Sequence, residues 1–145
     1  MWFALMTFAQ AADWTPSPAF EAGARALAAR HDSSCEAVEA LTTDPVALLR
    51  ELVDHAAAPP WVPMRAADCL ASRHAEAAKV DILAWIADPE RKGLAWVALD
   101  RLDVMPEPIA IELAAAAAVA PEPDRSLRRI AKSERTAVRA AAGLP

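Results

Sequence analysis

Two histidines and two cysteines are the side chains of this sequence best suited to chemistry. His31 lies four residues before Cys35, and Cys69 lies five residues before His74. Thiolate and imidazole are the ligands that structural zinc prefers, so the four could form a zinc site. Five positions turn a helix by roughly 140°, however, so Cys69 and His74 would diverge on a continuous helix. We therefore expect no metal site and no cofactor, and we predict that Cys35 and Cys69 form a disulfide.

That disulfide depends on the compartment in which the protein folds. In an oxidising compartment the two cysteines, 34 residues apart, would stabilise the fold by roughly 3–4 kcal/mol on the chain-entropy model. In the cytosol they would remain two small buried thiols.

The N-terminus favours export. An apolar run from Trp2 to Ala9 leads into Ala9-Gln10-Ala11, the small-x-small pattern of a signal-peptidase site. No Lys or Arg precedes the run, so the alternative is an apolar arm that packs on the domain. We expect residues 1–11 to be a signal-peptide remnant or such an arm, and residues 12–145 to form a single periplasmic or secreted domain. No other stretch approaches the length of a membrane span.

A basic cluster near the C-terminus is the candidate partner-binding site. Arg125, Arg128, Arg129 and Lys132 have the spacing of one helix face. Residues 124–145 carry 6 basic and 2 acidic side chains, against 9 and 18 in the rest of the chain. This face could dock a protein that presents carboxylates or phosphates; alternatively it is the solvated end of a helical array. The net charge of −5 argues against a general nucleic-acid binder.

Signatures of enzymes are missing from the sequence. Its three glycines are isolated, so no phosphate-binding loop can form, and neither HExxH nor GxSxG occurs. The spacing places Trp61, Trp85 and Trp96 at apolar helical positions, where core packing is expected. Trp14 is expected to cover the exposed end of the first helix. These observations predict a non-catalytic protein.

The elements that must position these residues are helices. Alanine, the best helix former, supplies 38 of the 145 residues, and the prolines cluster between apolar segments, where they mark helix boundaries. Asp44-Pro45 predicts a capped helix start, and Pro89-Glu90 another. In the helix predicted over Ala78 to Ile86, we expect Val80, Leu83 and Ile86 to face inward. The class is all-α.

A short motif occurs twice along this helical series. Met64-Arg65-Ala66-Ala67 returns 74 residues later as Val138-Arg139-Ala140-Ala141, or two periods of 37, and a degraded copy begins earlier, at Leu94. Short helix pairs must stack to bury their apolar faces, and the stacking positions recur. The repeat therefore predicts a right-handed α-solenoid of three to four helix pairs. Its alanines would lie where the helices touch most closely.

Here the sequence resembles the HEAT-repeat family, in particular its short bacterial HEAT-like members. The resemblance rests on an apolar-Arg-x-x-Ala stretch that follows a proline or aspartate turn, as in Val62-Pro63-Met64-Arg65. It implies an exported interaction or scaffold module that binds a protein partner and does not bind nucleic acid. The alternative is a HEAT-like enzyme or lyase that acts on a small ligand. No catalytic position can be carried over from those enzymes.

Overall fold

The computed structural model describes residues 13–31 and 34–145. Across these residues the chain forms helices and turns and no strand, which confirms the all-α prediction. The predicted export segment, residues 1–11, lies outside the described residues.

Nine α-helices and one short 3₁₀ turn follow one another along the described chain, most of them joined by short connections. Asp44 caps α3 by accepting a hydrogen bond from the Ala47 amide at 3.0 Å, with Pro45 in the first turn, as predicted. The elements are α1 (Phe20–Ala28), α2 (Cys35–Glu39), α3 (Pro45–His55), α4 (Trp61–Arg73), α5 (Ala75–Ala87), the 3₁₀ turn (Pro89–Arg91), α6 (Lys92–Leu99), α7 (Glu107–Ala118), α8 (Asp124–Ile130) and α9 (Thr136–Ala141).

The helices pack in two rows. In one row α4 lies between α1 and α6, and α6 contacts α8; in the other α5 contacts α7, and α7 contacts α9. Contacts between α3 and α4, α5 and α6, and α7 and α8 join the rows. The short α2 is an addition to this pattern, lying against α1 and α3.

The helices recur at a shorter interval than the motif predicts. Helices α4, α6 and α8 begin at residues 61, 92 and 124, and α5, α7 and α9 at residues 75, 107 and 136. A helix pair therefore returns after roughly 30 residues, within the range of helical repeats, and not after 37. The Met64 copy lies on α4 and the Val138 copy on α9, which belong to different rows. Alanine-rich helices match one another by composition, and that explains why the two copies look alike.

Alanine fills the places where helices lie closest. Ala66 and Ala67 are fully buried, as predicted, but Ala140 is exposed and Ala141 is half-buried, because no helix follows α9. On α5 the prediction for Val80 is wrong. Its side chain is 71% exposed, and Ile82 fills the core instead.

Candidate functional site

Cys35 on α2 and Cys69 on α4 are joined, as predicted. Their Cα atoms lie 5.5 Å apart, inside the range that a disulfide requires. The zinc alternative fails because both thiols are used and His74 binds a carboxylate, with Nε2 2.9 Å from Glu39 Oε1. Within the described part of the chain no group of three or more His, Cys, Asp or Glu side chains could hold a metal. Because α2 is an addition to the two rows, the bridge joins it to α4 and does not link equivalent helices.

An ionic cluster fastens α2 to α4 beside the disulfide. Arg73 donates to Glu36 Oε1 at 2.7 Å and to both oxygens of Glu39, at 2.7 and 2.8 Å. These hydrogen bonds from Arg73 are the main reason that the pKa of Glu39 lies below its ordinary value, and His74 lowers it further. The bond to Glu39 likewise raises the pKa of Arg73. The cluster therefore keeps its charges at every pH where the protein works.

The turn between α4 and α5 borders an open depression of about 380 Å³. Ser72, His74 and Glu76 line it on one side, with Val104 and Pro106 opposite. Its basic side chains, Arg73 and His74, are already bound to Glu39. A carboxylate with a lowered pKa and an arginine with a raised one provide neither a general acid nor a general base near neutral pH.

Polar side chains elsewhere connect successive helix pairs. Arg101 binds Asp68 through two nitrogens, and Arg50 binds both Asp81 and the Ala77 carbonyl. All such contacts have a common length. Within the described residues, every side-chain hydrogen bond that spans more than six residues joins positions 27 to 38 apart. The polar side chains therefore join each helix pair to the next one.

The two motif arginines take different parts in this pattern. Arg65 Nη1 donates to the Leu27 and Ala29 carbonyls, at 2.5 and 2.6 Å, and so satisfies the end of α1. Arg139 donates within its own segment, to the carbonyls of Ser133 and Pro145.

The predicted basic residues lie on α8 and its end, next to an indole of α6. The guanidinium carbon of Arg125 is 4.4 Å from the centroid of Trp96, that of Arg129 is 5.8 Å away, and Lys92 Nζ is 6.0 Å away. Trp96 is half-buried, so one face of its ring packs and the other carries cations. Attraction between a cation and an indole ring is worth about 0.5–1 kcal/mol at an exposed site.

The four predicted residues divide between internal and external roles. Arg129 forms an ion pair with Asp100 and so joins α8 to the end of α6. Lys132 lies beside it, at a cavity of about 80 Å³ that Asp103 also lines. Arg125 and Arg128 are exposed, and among the described residues neither they nor Lys132 form an ion pair or a side-chain hydrogen bond. We call Trp96, Arg125, Arg128 and Lys132 the basic surface.

Sequence reasoning missed Trp96, which was assigned to core packing. Of the three tryptophans assigned there, only Trp85 is buried, since Trp61 is 37% exposed and donates from Nε1 to the Ala28 carbonyl. A signal was present in the spacing, because Trp96 precedes Arg125 by 29 residues, close to one helical period. Trp14 does cover the first helix, with its ring 4.9 Å from that of Phe20 and stacked on His55.

Comparison of the chain with protein-family models, with curated proteins and with solved structures finds no match. Among the described helices, none combines the length and the apolar character that crossing a membrane requires.

Proposed function

We propose that this protein is a non-catalytic, exported interaction module built from stacked HEAT-like helix pairs in a right-handed α-solenoid. The observation that carries the proposal is the common length of its side-chain contacts. Every long-range side-chain hydrogen bond within the described residues spans one helix pair, 27 to 38 residues. A chain of units that each contact only their neighbours is the arrangement of a solenoid.

Binding, and not catalysis, accounts best for the polar side chains. Groups able to do chemistry, such as His74 and Glu39, are bound to each other beside an open depression. An enzyme site instead needs an enclosed pocket with polar groups directed at a substrate. The cations left without an internal partner lie on the outer face of α8, where only a partner can use them.

The disulfide supports an extracellular or periplasmic address. Structural disulfides persist in oxidising compartments and are rare in the cytosol, and Cys35 and Cys69 are placed to form one. Export also agrees with the Ala9-Gln10-Ala11 pattern. The expected result is that periplasmic protein, analysed by intact mass, has lost its first 11 residues and carries no free thiol.

The test of function uses the exported protein as bait in its own periplasm, with cross-linking and mass spectrometry. We expect one defined protein to be recovered by the wild type and by Arg25→Gln, a charge change on the distant α1 (Phe20–Ala28). Recovery of no protein above the background of a blank matrix would overturn the proposal. So would a small metabolite that copurifies stoichiometrically and is consumed, which would favour a HEAT-like enzyme or lyase.

A further inference from the structure

The basic surface has a chemistry more specific than positive charge. The guanidinium of Arg125 lies 4.4 Å from the Trp96 ring, and it makes no hydrogen bond or ion pair with any described residue. Stacking fixes the plane of an arginine while leaving its N–H donors free at the edge. A guanidinium held in this way is ready to bind a carboxylate through two parallel hydrogen bonds.

Other cations stand around this arginine. Lys92 and Arg129 also approach the Trp96 ring, and Arg128 and Lys132 follow on the same helix face. Asp100 neutralises Arg129, and Glu122 contacts Lys92 only loosely, at 3.4 Å. The remaining positive charges repel one another, so an anion that binds among them gains attraction from several cations.

Acidic side chains around the patch limit the size of that anion. Asp124 and Glu134 are exposed on the same segment, and the net charge of the whole chain is −5. An extended polyanion, such as a nucleic acid or an anionic membrane, would be repelled beyond the patch. A short segment with a few carboxylates meets only the cations.

Glu122 shows what such a carboxylate would look like in place. It lies between Pro121 and Pro123 and has a φ of 53°, a left-handed conformation uncommon outside glycine. Its carboxylate is 76% exposed, and Glu122 lines the same small cavity as Trp96. Glu122 is thus a weak internal competitor for the basic surface.

We propose that the basic surface binds a carboxylate-rich segment of the partner protein, with the stacked Arg125 as the central contact and Glu122 as the group that the segment displaces. This inference rests on the proposed function, because it names the chemistry of the partner.

The test measures binding of a fluorescein-labelled oligoglutamate peptide by fluorescence anisotropy at low salt. Arg125→Gln is expected to weaken binding about tenfold, as for loss of one charged bidentate contact, whereas Arg25→Gln should leave it nearly unchanged. Arg125→Lys keeps the charge but loses the planar fork, so it should also weaken binding. If Arg125→Lys binds as the wild type does, the stacked-arginine proposal is wrong.

Two further arms complete the design. Glu122→Gln should tighten binding by removing the competitor, and it should do so more than Glu21→Gln, which changes the charge equally on α1; equal effects would overturn the role of Glu122. Tighter binding to a single-stranded oligonucleotide or to phosphatidylglycerol vesicles than to the peptide would overturn the choice of a peptide.

The experiment separates this inference from the proposed function. A partner that the triple variant Arg125→Gln, Arg128→Gln, Lys132→Gln still captures from periplasm leaves the interaction module intact and overturns the basic surface as its contact. Absence of any partner for the wild type overturns the function itself. Circular dichroism of each variant checks that it remains folded.

Discussion

Arg65 and Arg139 hold the same place in two copies of one motif but bind different parts of the chain. Arg65 reaches the carbonyls of Leu27 and Ala29 in the preceding helix pair, whereas Arg139 binds carbonyls within its own segment. Those of Leu27 and Ala29 close the end of α1, where a helix leaves carbonyls without an internal partner. A residue's neighbours, and not its motif, therefore set its energetic weight.

We expect Arg65→Met to lower the free energy of unfolding by about 1–3 kcal/mol, because it leaves partly buried carbonyls without a donor. Arg139→Met should cost less than about 1 kcal/mol, as for an exposed contact. Urea unfolding followed by circular dichroism measures both. Equal losses would show that the motif position matters and the contact across helix pairs does not.

Glu39 gives the fold a pH dependence. Hydrogen bonds from Arg73, and then from His74, hold the pKa of Glu39 below its ordinary value of 4.5. A carboxylate whose folded pKa lies below its unfolded one stabilises the fold above the unfolded pKa, and that stability is lost as pH falls through the folded pKa.

We therefore expect Glu39→Gln to be less stable than the wild type at neutral pH, with the difference shrinking through the acid range below about pH 4.5. Thermal unfolding across that range, with the disulfide intact, measures the difference. The exposed Glu21→Gln serves as the control and should follow the wild type. A deficit that stays constant as pH falls would contradict the role of the Glu39 charge.

At the scale of elements, helix α5 shows where periodicity misleads. Its apolar residues are almost continuous, so several faces look equally suitable for burial. The structure buries Ile82 completely and leaves Val80 71% exposed.

We expect Ile82→Ala to lower the free energy of unfolding by about 2–5 kcal/mol, because it removes fully buried methyl groups. Val80→Ala, a smaller change at an exposed position, should stay within about 0.5 kcal/mol of the wild type. Chemical unfolding compares the two. A large loss at Val80 would mean that this face of α5 is covered, and the expected burial of α5 would then be wrong.

Local signals in the sequence predicted the helices, and longer-range relations escaped it. Asp44-Pro45 predicts the start of α3 because capping and proline act within one turn. The cysteine pair was also predictable. The recurrence of roughly 30 residues was hidden, because alanine marks a helix without marking its row. Trp96 was assigned to the core because a half-buried indole and a fully buried one have the same spacing.

At the scale of the whole molecule, its two ends are held differently. Helices α8 and α9, at the C-terminal end, contact the neighbouring α6 and α7 from one side only. At the other end, α2 is fastened to α4 by the disulfide and by Arg73. Regions with fewer supporting contacts open at lower free energy.

Hydrogen exchange should therefore be fastest in α8 and α9 of the oxidised protein. Reduction of the Cys35–Cys69 bond should speed exchange in α1 and α2 while leaving α8 and α9 unchanged, because units in a stack act on their neighbours only. Mass spectrometry of peptic fragments, before and after reduction, measures the effect. Uniform acceleration along the chain would contradict the stacked arrangement.

The common length of the side-chain contacts also determines how the molecule would respond to a pulling force. Because each contact closes a loop of 27 to 38 residues, tension applied at the two ends would release the chain one pair at a time. Each release would lengthen it by roughly 100 Å, the extended length of one unit. The segment between Cys35 and Cys69 would not contribute, since the covalent bridge bypasses it. An extracellular protein that links two bodies would then yield in steps, with a fixed, inextensible section near its N-terminal end.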